Sequence, residues 1–274
     1  MEKINSKKNL PKAGVVGWPV SHSLSPRLHN YWLKKYNIEG EYNSYPVEPE
    51  NLADFLEKLR DDKNFLGVNL TIPHKEAVLK LLDEIDDTAK EIGAVNTIVI
   101  KDGKLHGKNT DAYGFTENIR AALAGNKKAV VLGAGGAAKA VIFALRQLGF
   151  KEIVITNRTK ERAEELFSSS VEDWEKRSEI LKDADLLVNT TSLGMKGKEQ
   201  LEIDLALLPK HALVTDIVYN PLLTHLLVQA QMRGNPIVDG LGMLLYQAVP
   251  AFEAWFGKKP EITKDLRQYM LDVK

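Results

Sequence analysis

A chain of 274 residues with 37 Lys+Arg against 37 Asp+Glu carries no global field that would recruit nucleic acid or an anionic membrane. The absence of cysteine excludes disulfides, thiolate nucleophiles and cysteine-based zinc sites, and it fits a reducing cytosol. The polar start "MEKINSKKNLPKAG" has no signal-peptide core, no apolar run approaches the roughly 20 residues of a spanning helix, and the six histidines show no metal-ligand spacing.

Taken in chain order, "AGVVGW" reads as a first strand, followed by a helix over Pro26–Tyr36 with Ser25 as N-cap and Pro26 at its first position. "EYNSYPVEPE" reads as a strand, and "NLADFLEKLR" as a helix with Leu52, Phe55, Leu56 and Leu59 on one face. "FLGVNLT" is a strand and "PHKEAVLKLL" a helix opening at Pro73. "GAVNTIVIKDGKLHGKNT" reads as a hairpin turning at Asp102-Gly103. From Asp111 the pattern changes. The helix "DAYGFTENIRAAL" leads into a βαβ series with apolar strands Ala129–Leu132, Ile153–Thr156, Asp185–Asn189 and Ala212–Ile217, as in a parallel sheet covered on both faces. "SSSVEDWEKRSEI" reads as a loop and solvated helix. After "PIVDG" the chain turns helical, through "LGMLLYQAVPAFEAWF" to "TKDLRQYMLDVK".

The expected architecture is therefore α/β with two lobes. Residues 1–110 form a first α/β lobe and 111–239 a Rossmann-type, doubly wound dinucleotide-binding lobe. Residues 240–274 are helices that return to the first lobe, because their apolar stripes otherwise lack a surface to cover.

Gly133, Gly135 and Ala138 in "AVVLGAGGAAKAV" satisfy G-x-G-x-x-G/A between a strand and a helix. Small residues there permit a sharp turn and let backbone N–H groups reach a pyrophosphate at the positive end of the helix. NAD-binding chains place an acid at the end of the next strand for the ribose 2′-hydroxyl. Here Ile153–Thr156 runs into Asn157, Arg158, Thr159 and Lys160. A guanidinium suits a 2′-phosphate that a carboxylate would repel, so these residues, assisted by Lys160 or Arg162, point to NADP(H). The alternative use of Arg158 is to begin the solvated helix "TKERAEEL" behind Thr159.

The first lobe carries "SHSLSP", "NLTIPHK", "GAVNT" and "NTDAYG", each placing polar side chains at a strand end or helix start. Singly they have plain structural readings: Ser25 as a cap, Asn96 and Thr110 as turn residues, Lys75 on a solvated helix, Asp111 as the cap of the next helix. Four together ahead of a nucleotide lobe favour a substrate site.

These motifs, with "GAGGAAKA", "NRT", "NTTSLGM", "DIVYNP" and "GLGMLLYQA" in this order, resemble the shikimate dehydrogenase family over about positions 14–255. The resemblance implies NADPH-dependent, reversible reduction of 3-dehydroshikimate to shikimate in aromatic biosynthesis, by a cytoplasmic monomer or homodimer. It implies that Ser23 and Ser25, helped by Thr71 and Tyr219, hold the substrate carboxylate. Asn69, Asn96, Asp111 and Gln247 face the ring oxygens, and Lys75 with Asp111 stands at the reacting hydroxyl. It further implies that Gly133, Ala134, Gly135, Gly136 and Ala137 lie at the pyrophosphate and Asn157, Arg158, Thr159 and Arg162 at the adenosine phosphate. Thr190, Ile217, Gly240 and Met243 fall near the nicotinamide, with Met243 equally suited to the core of its helix.

Two rivals follow from the same residues. One is the NAD-linked quinate/shikimate branch, against which Arg158 and the paired serines count. The other is a non-catalytic NADP(H)-binding regulator, which the presence of both Lys75 and Asp111 disfavours.

Overall fold

In the computed structural model, which describes residues 10–167 and 170–272, the apolar runs become twelve strands in two six-stranded sheets. The chain divides into one unit of Met1–Thr110 with Ala248–Lys274 and a second of Asp111–Gln247.

In the first unit the strands are β1 (Lys12–Gly17), β2 (Glu41–Pro46), β3 (Phe65–Leu70), β4 (Glu84–Ile85), β5 (Thr97–Lys101) and β6 (Lys104–Lys108), in the order β2-β1-β3-β5-β6-β4. β1 pairs parallel with β2 and β3, and β5 is antiparallel to both β3 and β6. The β5–β6 turn is the expected one, with Asp102 at φ +52° and Gly103 at φ +72°, the left-handed pair that a two-residue hairpin requires. The helices of this unit begin with α1 (Ser25–Lys35), α2 (Leu52–Asp61), α3 (His74–Ala77) and α4 (Asp87–Ile92). Side chains of β1 alternate between two cores. Val16 packs with Leu52, Leu56 and Leu59 of α2, while Ala13 and Val15 pack with Tyr42, Ala251 and Trp255. Each of the three buried α2 leucines contributes about 1.5–3 kcal/mol of burial.

In the second unit α5 (Asp111–Ile119) precedes β7 (Lys128–Leu132), α6 (Gly136–Gln147), β8 (Glu152–Thr156), α7 (Lys160–Leu166) and β9 (Ser170–Glu172). Then come β10 (Leu186–Asn189), β11 (Leu213–Asp216), α8 (His225–Met232) and β12 (Ile237–Val238). All pairings are parallel, in the order β12-β11-β10-β7-β8-β9. The chain runs outward from β7 to β9 and returns to place β10 on the other side of β7. That reversal creates a crevice at the carboxyl ends of β7 and β10.

α9 (Leu241–Phe256) and α10 (Lys264–Leu271) end the chain. The return to the first lobe occurs within α9, between Gln247 and Ala248, and not at 239/240 as the sequence suggested. Beyond it, Trp255 Nε1 donates to the Ile98 carbonyl at 3.0 Å, and the Arg27 guanidinium donates to the Tyr269 carbonyl at 2.6 Å. The segment 240–247 stays with the second unit because Gly114 of α5 lies against Gln247 and Gly242 against Asn118, contacts that leave no room for a Cβ.

Other elements also depart from expectation. "PHKEAVLKLL" is α-helical only over α3 and continues as a 3₁₀ turn over Val78–Leu81. "SSSVEDWEKRSEI" contains strand β9 and two 3₁₀ turns in place of a loop and helix, its residues 168–169 lying outside the described residues. Among the described residues no helix is long and apolar enough to cross a membrane.

Candidate active site

At the carboxyl ends of β1 and β3 and the amino end of the antiparallel β5, polar side chains are buried together. Asn69, at the penultimate position of β3, is 5% exposed, and Asn96, just before β5, is 2% exposed. The Asn69 amide donates to the Asn96 carbonyl at 3.1 Å and to Thr97 Oγ1 at 3.0 Å, while its Oδ1 accepts from the Tyr42 phenol at 2.7 Å. Asn96 Nδ2 donates to Thr110 Oγ1 at 2.9 Å, and its Oδ1 accepts from the Thr110 amide at 2.8 Å and from Thr97 Oγ1 at 3.0 Å. Thr110 leads directly into Asp111, a buried residue at the start of α5.

Ser25 joins the same network, and not as an N-cap. The Leu28 amide already donates to the Leu24 carbonyl at 3.1 Å, so Leu24 occupies the cap position and Ser25 is the first helical residue. The Ser25 hydroxyl is instead hydrogen-bonded to the Tyr42 phenol. Half-buried Ser23 accepts the Ser25 amide at 3.3 Å. Thr71 follows β3, held by its amide on the Val16 carbonyl at 2.9 Å.

Lys75 is half-buried in α3, whose position is fixed on both sides. Its carbonyl accepts the Val95 amide at 2.8 Å, and the neighbouring His74 ring meets the Val47 carbonyl at 2.8 Å. Such anchoring is what a proton-transferring group needs if its position is to survive turnover.

Sequence reasoning missed Tyr42 and His29. Tyr42 is fully buried, and burial raises its phenol well above the ordinary range. It therefore acts only as a neutral hydrogen-bonding group. His29 stacks flat on it at 4.0 Å, and burial lowers that imidazole to about 3, which keeps it uncharged. No local pattern announces Tyr42 as a bridge, because its partners at positions 25 and 69 lie far away in sequence.

In the second unit, β7 ends at Leu132 and Gly133 turns the chain at φ +111°, its amide donating to the Thr156 carbonyl at 2.8 Å. A Cβ on Gly133 would lie 2.6 Å from Thr190 Oγ1. Thr190 is held there by its amide and hydroxyl, which donate to the Leu132 carbonyl at 2.8 and 2.7 Å. Gly133→Ala is accordingly expected to cost about 1–3 kcal/mol, a fall of roughly 5 °C in melting temperature, measurable by thermal unfolding.

Gly135 is extended, opens onto free space and precedes α6 without any side-chain cap. The first amides of α6, from Gly136 and Ala137 onward, thus lack a capping side chain and suit an anionic ligand. Ala134 is buried, and Ala138 lies fully buried where the helix meets its strand. After β8, Asn157 Nδ2 donates to the Thr159 carbonyl at 2.7 Å, closing a tight turn with Arg158 exposed at its tip. Arg162 is exposed on α7, whereas Lys160 is drawn to Asp173 at 2.9 Å. An open glycine turn, an uncapped helix start and a cationic loop one strand away fit a phosphorylated dinucleotide.

At the ends of β10 and β11, fully buried Asn189 and Asp216 face each other in register. Burial pushes the Asp216 carboxyl up from 3.8 to about 6. The folded state thus favours the neutral acid, and stability falls as pH rises from about 4 through 6. By linkage that loss amounts to roughly 3 kcal/mol at neutral pH. Half-buried Ile217 and Tyr219 follow β11, and Gly240 is packed so tightly on the Ile217 carbonyl that a Cβ there would lie 2.5 Å away. Met243 is 9% exposed on α9, and Gln247, 7% exposed, donates to the Leu244 carbonyl at 3.0 Å.

Comparison with known proteins agrees with this geometry. Residues 15–98 match the family model described as the shikimate dehydrogenase substrate binding domain. Residues 117–217 match "Shikimate / quinate 5-dehydrogenase", and 240–268 the shikimate 5′-dehydrogenase C-terminal domain. A curated relative from Paramagnetospirillum magneticum, named shikimate dehydrogenase (NADP(+)), is 52% identical over 94% of this chain and 97% of its own. The Thermus thermophilus shikimate 5-dehydrogenase, solved with NADP(H) and shikimate, is 39% identical, with a TM-score of 0.86 over 95% of this chain and 98% of that one. A quinate dehydrogenase from Corynebacterium glutamicum, solved with NAD, is 30% identical, with a TM-score of 0.88 over 96% of this chain and 99% of that one.

Proposed function

The chain belongs to the shikimate dehydrogenase family, and we propose that it interconverts 3-dehydroshikimate and shikimate through Lys75 as acid/base, with Asp111 as its partner at the reacting hydroxyl. The observation that carries this reading is the buried network joining Ser25, Asn69 and Asn96 through Tyr42 and Thr97. A buried set of hydroxyls and amides suits a small polyhydroxylated acid.

The donor count within the network supports a division of roles. Both Asn69 amide hydrogens are engaged by the Asn96 carbonyl and Thr97. Asn69 therefore offers a ligand only its Oδ1, which accepts from a ring hydroxyl. Asn96, Asp111 and Gln247 complete the hydroxyl contacts. Ser23, Thr71 and the Tyr219 phenol donate to the substrate carboxylate, joined by the Ser25 hydroxyl as it turns from the Tyr42 phenol to the ligand. Tyr42→Phe should raise the KM for shikimate about tenfold, the worth of one buried hydrogen bond, while kcat changes less than threefold. Steady-state kinetics would contradict the network's role if kcat fell and KM held.

Gly133, Ala134, Gly135, Gly136 and Ala137 would hold the pyrophosphate, and Asn157, Arg158, Thr159 and Arg162 the 2′-phosphate. Thr190, Ile217, Gly240 and Met243 would line the nicotinamide end. Bound NADPH supplies a hydride to the ketone. The Lys75 ammonium stabilises the resulting alkoxide and gives it a proton, and the neutral amine takes it back in the reverse direction. The balanced charge suits a small-molecule substrate, and the cysteine-free chain suits the cytoplasm.

The test is the initial rate with shikimate at saturating NADP⁺ and then NAD⁺, repeated with quinate. Fast turnover confined to shikimate with NADP⁺ is expected. Comparable turnover with quinate and NAD⁺ would move the chain to the NAD-linked quinate branch, and background rates throughout would favour a regulator that binds without catalysis.

A further inference from the structure

We propose that Asp216 is a positioning residue for the nicotinamide half of the cofactor, an acceptor-only hub that ties the loop after β10 to the loop after β11. The proposal rests on the reading that Thr190 and Ile217 border the nicotinamide.

Two loops meet at this carboxylate. Asn189 Nδ2 donates to its two oxygens at 3.0 and 3.1 Å, the Val218 amide donates to Oδ1 at 2.9 Å, and the Thr224 hydroxyl donates to Oδ2 at 2.7 Å. Asn189 passes the constraint on, because its Oδ1 accepts the Thr191 amide at 3.0 Å and the Thr191 hydroxyl at 2.7 Å. Backbone bonds complete the tie: the Ile217 amide to the Asn189 carbonyl at 3.1 Å, and the Lys196 amide to the Asn220 carbonyl at 2.9 Å. Residues 189–196 and 216–224 are thereby held as one frame around Thr190, Ile217 and Tyr219.

Only a group with acceptors on both arms satisfies this arrangement. An amide nitrogen in place of either oxygen would face the Asn189 amide nitrogen. The groups meeting Asp216 from β10 (Asn189), from its own loop (Val218) and from the start of α8 (Thr224) are all uncharged, so no cation offsets the buried charge. A carboxylate kept at a cost to stability, where an apolar residue would pack among buried neighbours, is the mark of a group retained for geometry. Burial also holds its pKa near 6. Protonation in mild acid turns one oxygen into a donor and loosens the same frame reversibly.

The test compares Asp216→Asn with wild type by calorimetric titration of NADP⁺ and of 2′,5′-ADP, which carries the adenosine phosphates without the nicotinamide. The expected result is an NADP⁺ Kd raised about tenfold with the 2′,5′-ADP Kd unchanged within twofold. Between pH 7.5 and 5.5 the gap between the wild-type and variant ratios of the two Kd values should narrow. Comparing the two proteins at each pH cancels titration of the ligands' own phosphates, the 2′-phosphate of both and the 5′-phosphate monoester of 2′,5′-ADP. An unchanged NADP⁺ Kd, or equal losses for both ligands, would overturn the proposal. Should Asp216→Asn fail to fold, Thr224→Val should raise the NADP⁺ Kd about threefold and Thr224→Ser restore it. Equal NADP⁺ affinity in Thr224→Val and wild type would sink the idea equally well. Wild-type protein that binds neither ligand would overturn the parent reading along with this one.

Discussion

Lys75→Ala should lower kcat for shikimate oxidation by about 10³-fold, within the range for a positioned acid/base, while the KM for shikimate rises by less than tenfold. The interaction removed belongs to the transition state, where charge develops on the reacting oxygen, so the loss falls on kcat. The variant should fold, because α3 is pinned by its backbone: the Val95 amide still finds the carbonyl of residue 75. The neighbouring His74 contact with Val47 is likewise untouched. Steady-state rates at saturating NADP⁺ decide the matter. A large KM effect with kcat intact would take Lys75 out of the proton transfer and leave it a binding group.

The second large effect is at the other ligand. Arg158→Ala should raise the KM for NADP⁺ about 10²-fold, since hydrogen bonds to a charged group are worth about 1.5–3 kcal/mol, and leave the KM for NAD⁺ within twofold. The residue stands exposed at the tip of a turn closed by Asn157 and Thr159, so truncation leaves β8 and α7 in place. The discrimination ratio is the quantity to measure. If both cofactors weakened by the same factor, Arg158 would be no more than a solvated turn residue ahead of α7.

The sequence made the parts with short-range causes legible. The apolar strands, the glycine turn after β7 and the Asp102-Gly103 hairpin each follow from residues within a few positions of one another. So did α4 in principle, although it went unread: Asp86 caps it by accepting the Ala89 amide at 2.7 Å, and Gly93 ends it at φ +69°. β9 was not legible, because a three-residue edge strand is defined by its partner β8 and has no periodicity of its own. The Ser25 reading failed for a related reason. Serine ahead of proline looks like a cap, and only the distant Tyr42 phenol shows where the hydroxyl is directed. The residues of the candidate site were found through their motifs, whereas the groups that orient them, Tyr42, Thr97 and Asp216, come from pairings across the sheets. The sequence carries no trace of those pairings at fixed spacing.

The division of the chain has a consequence for its synthesis. The second unit is one unbroken stretch, Asp111–Gln247, while the first is split around it, and the face of its sheet beneath α1 is fully covered only once Ala248–Lys274 exists. A growing chain that has just passed Gln247 holds every residue of the second unit. It still lacks Ala251 and Trp255, which pack on Ala13, Val15 and Tyr42. On the ribosome the usual N-terminal-first order should therefore give way here to completion of the second unit ahead of the first. The part made first keeps the sheet face beneath α1 only partly covered until the part made last arrives.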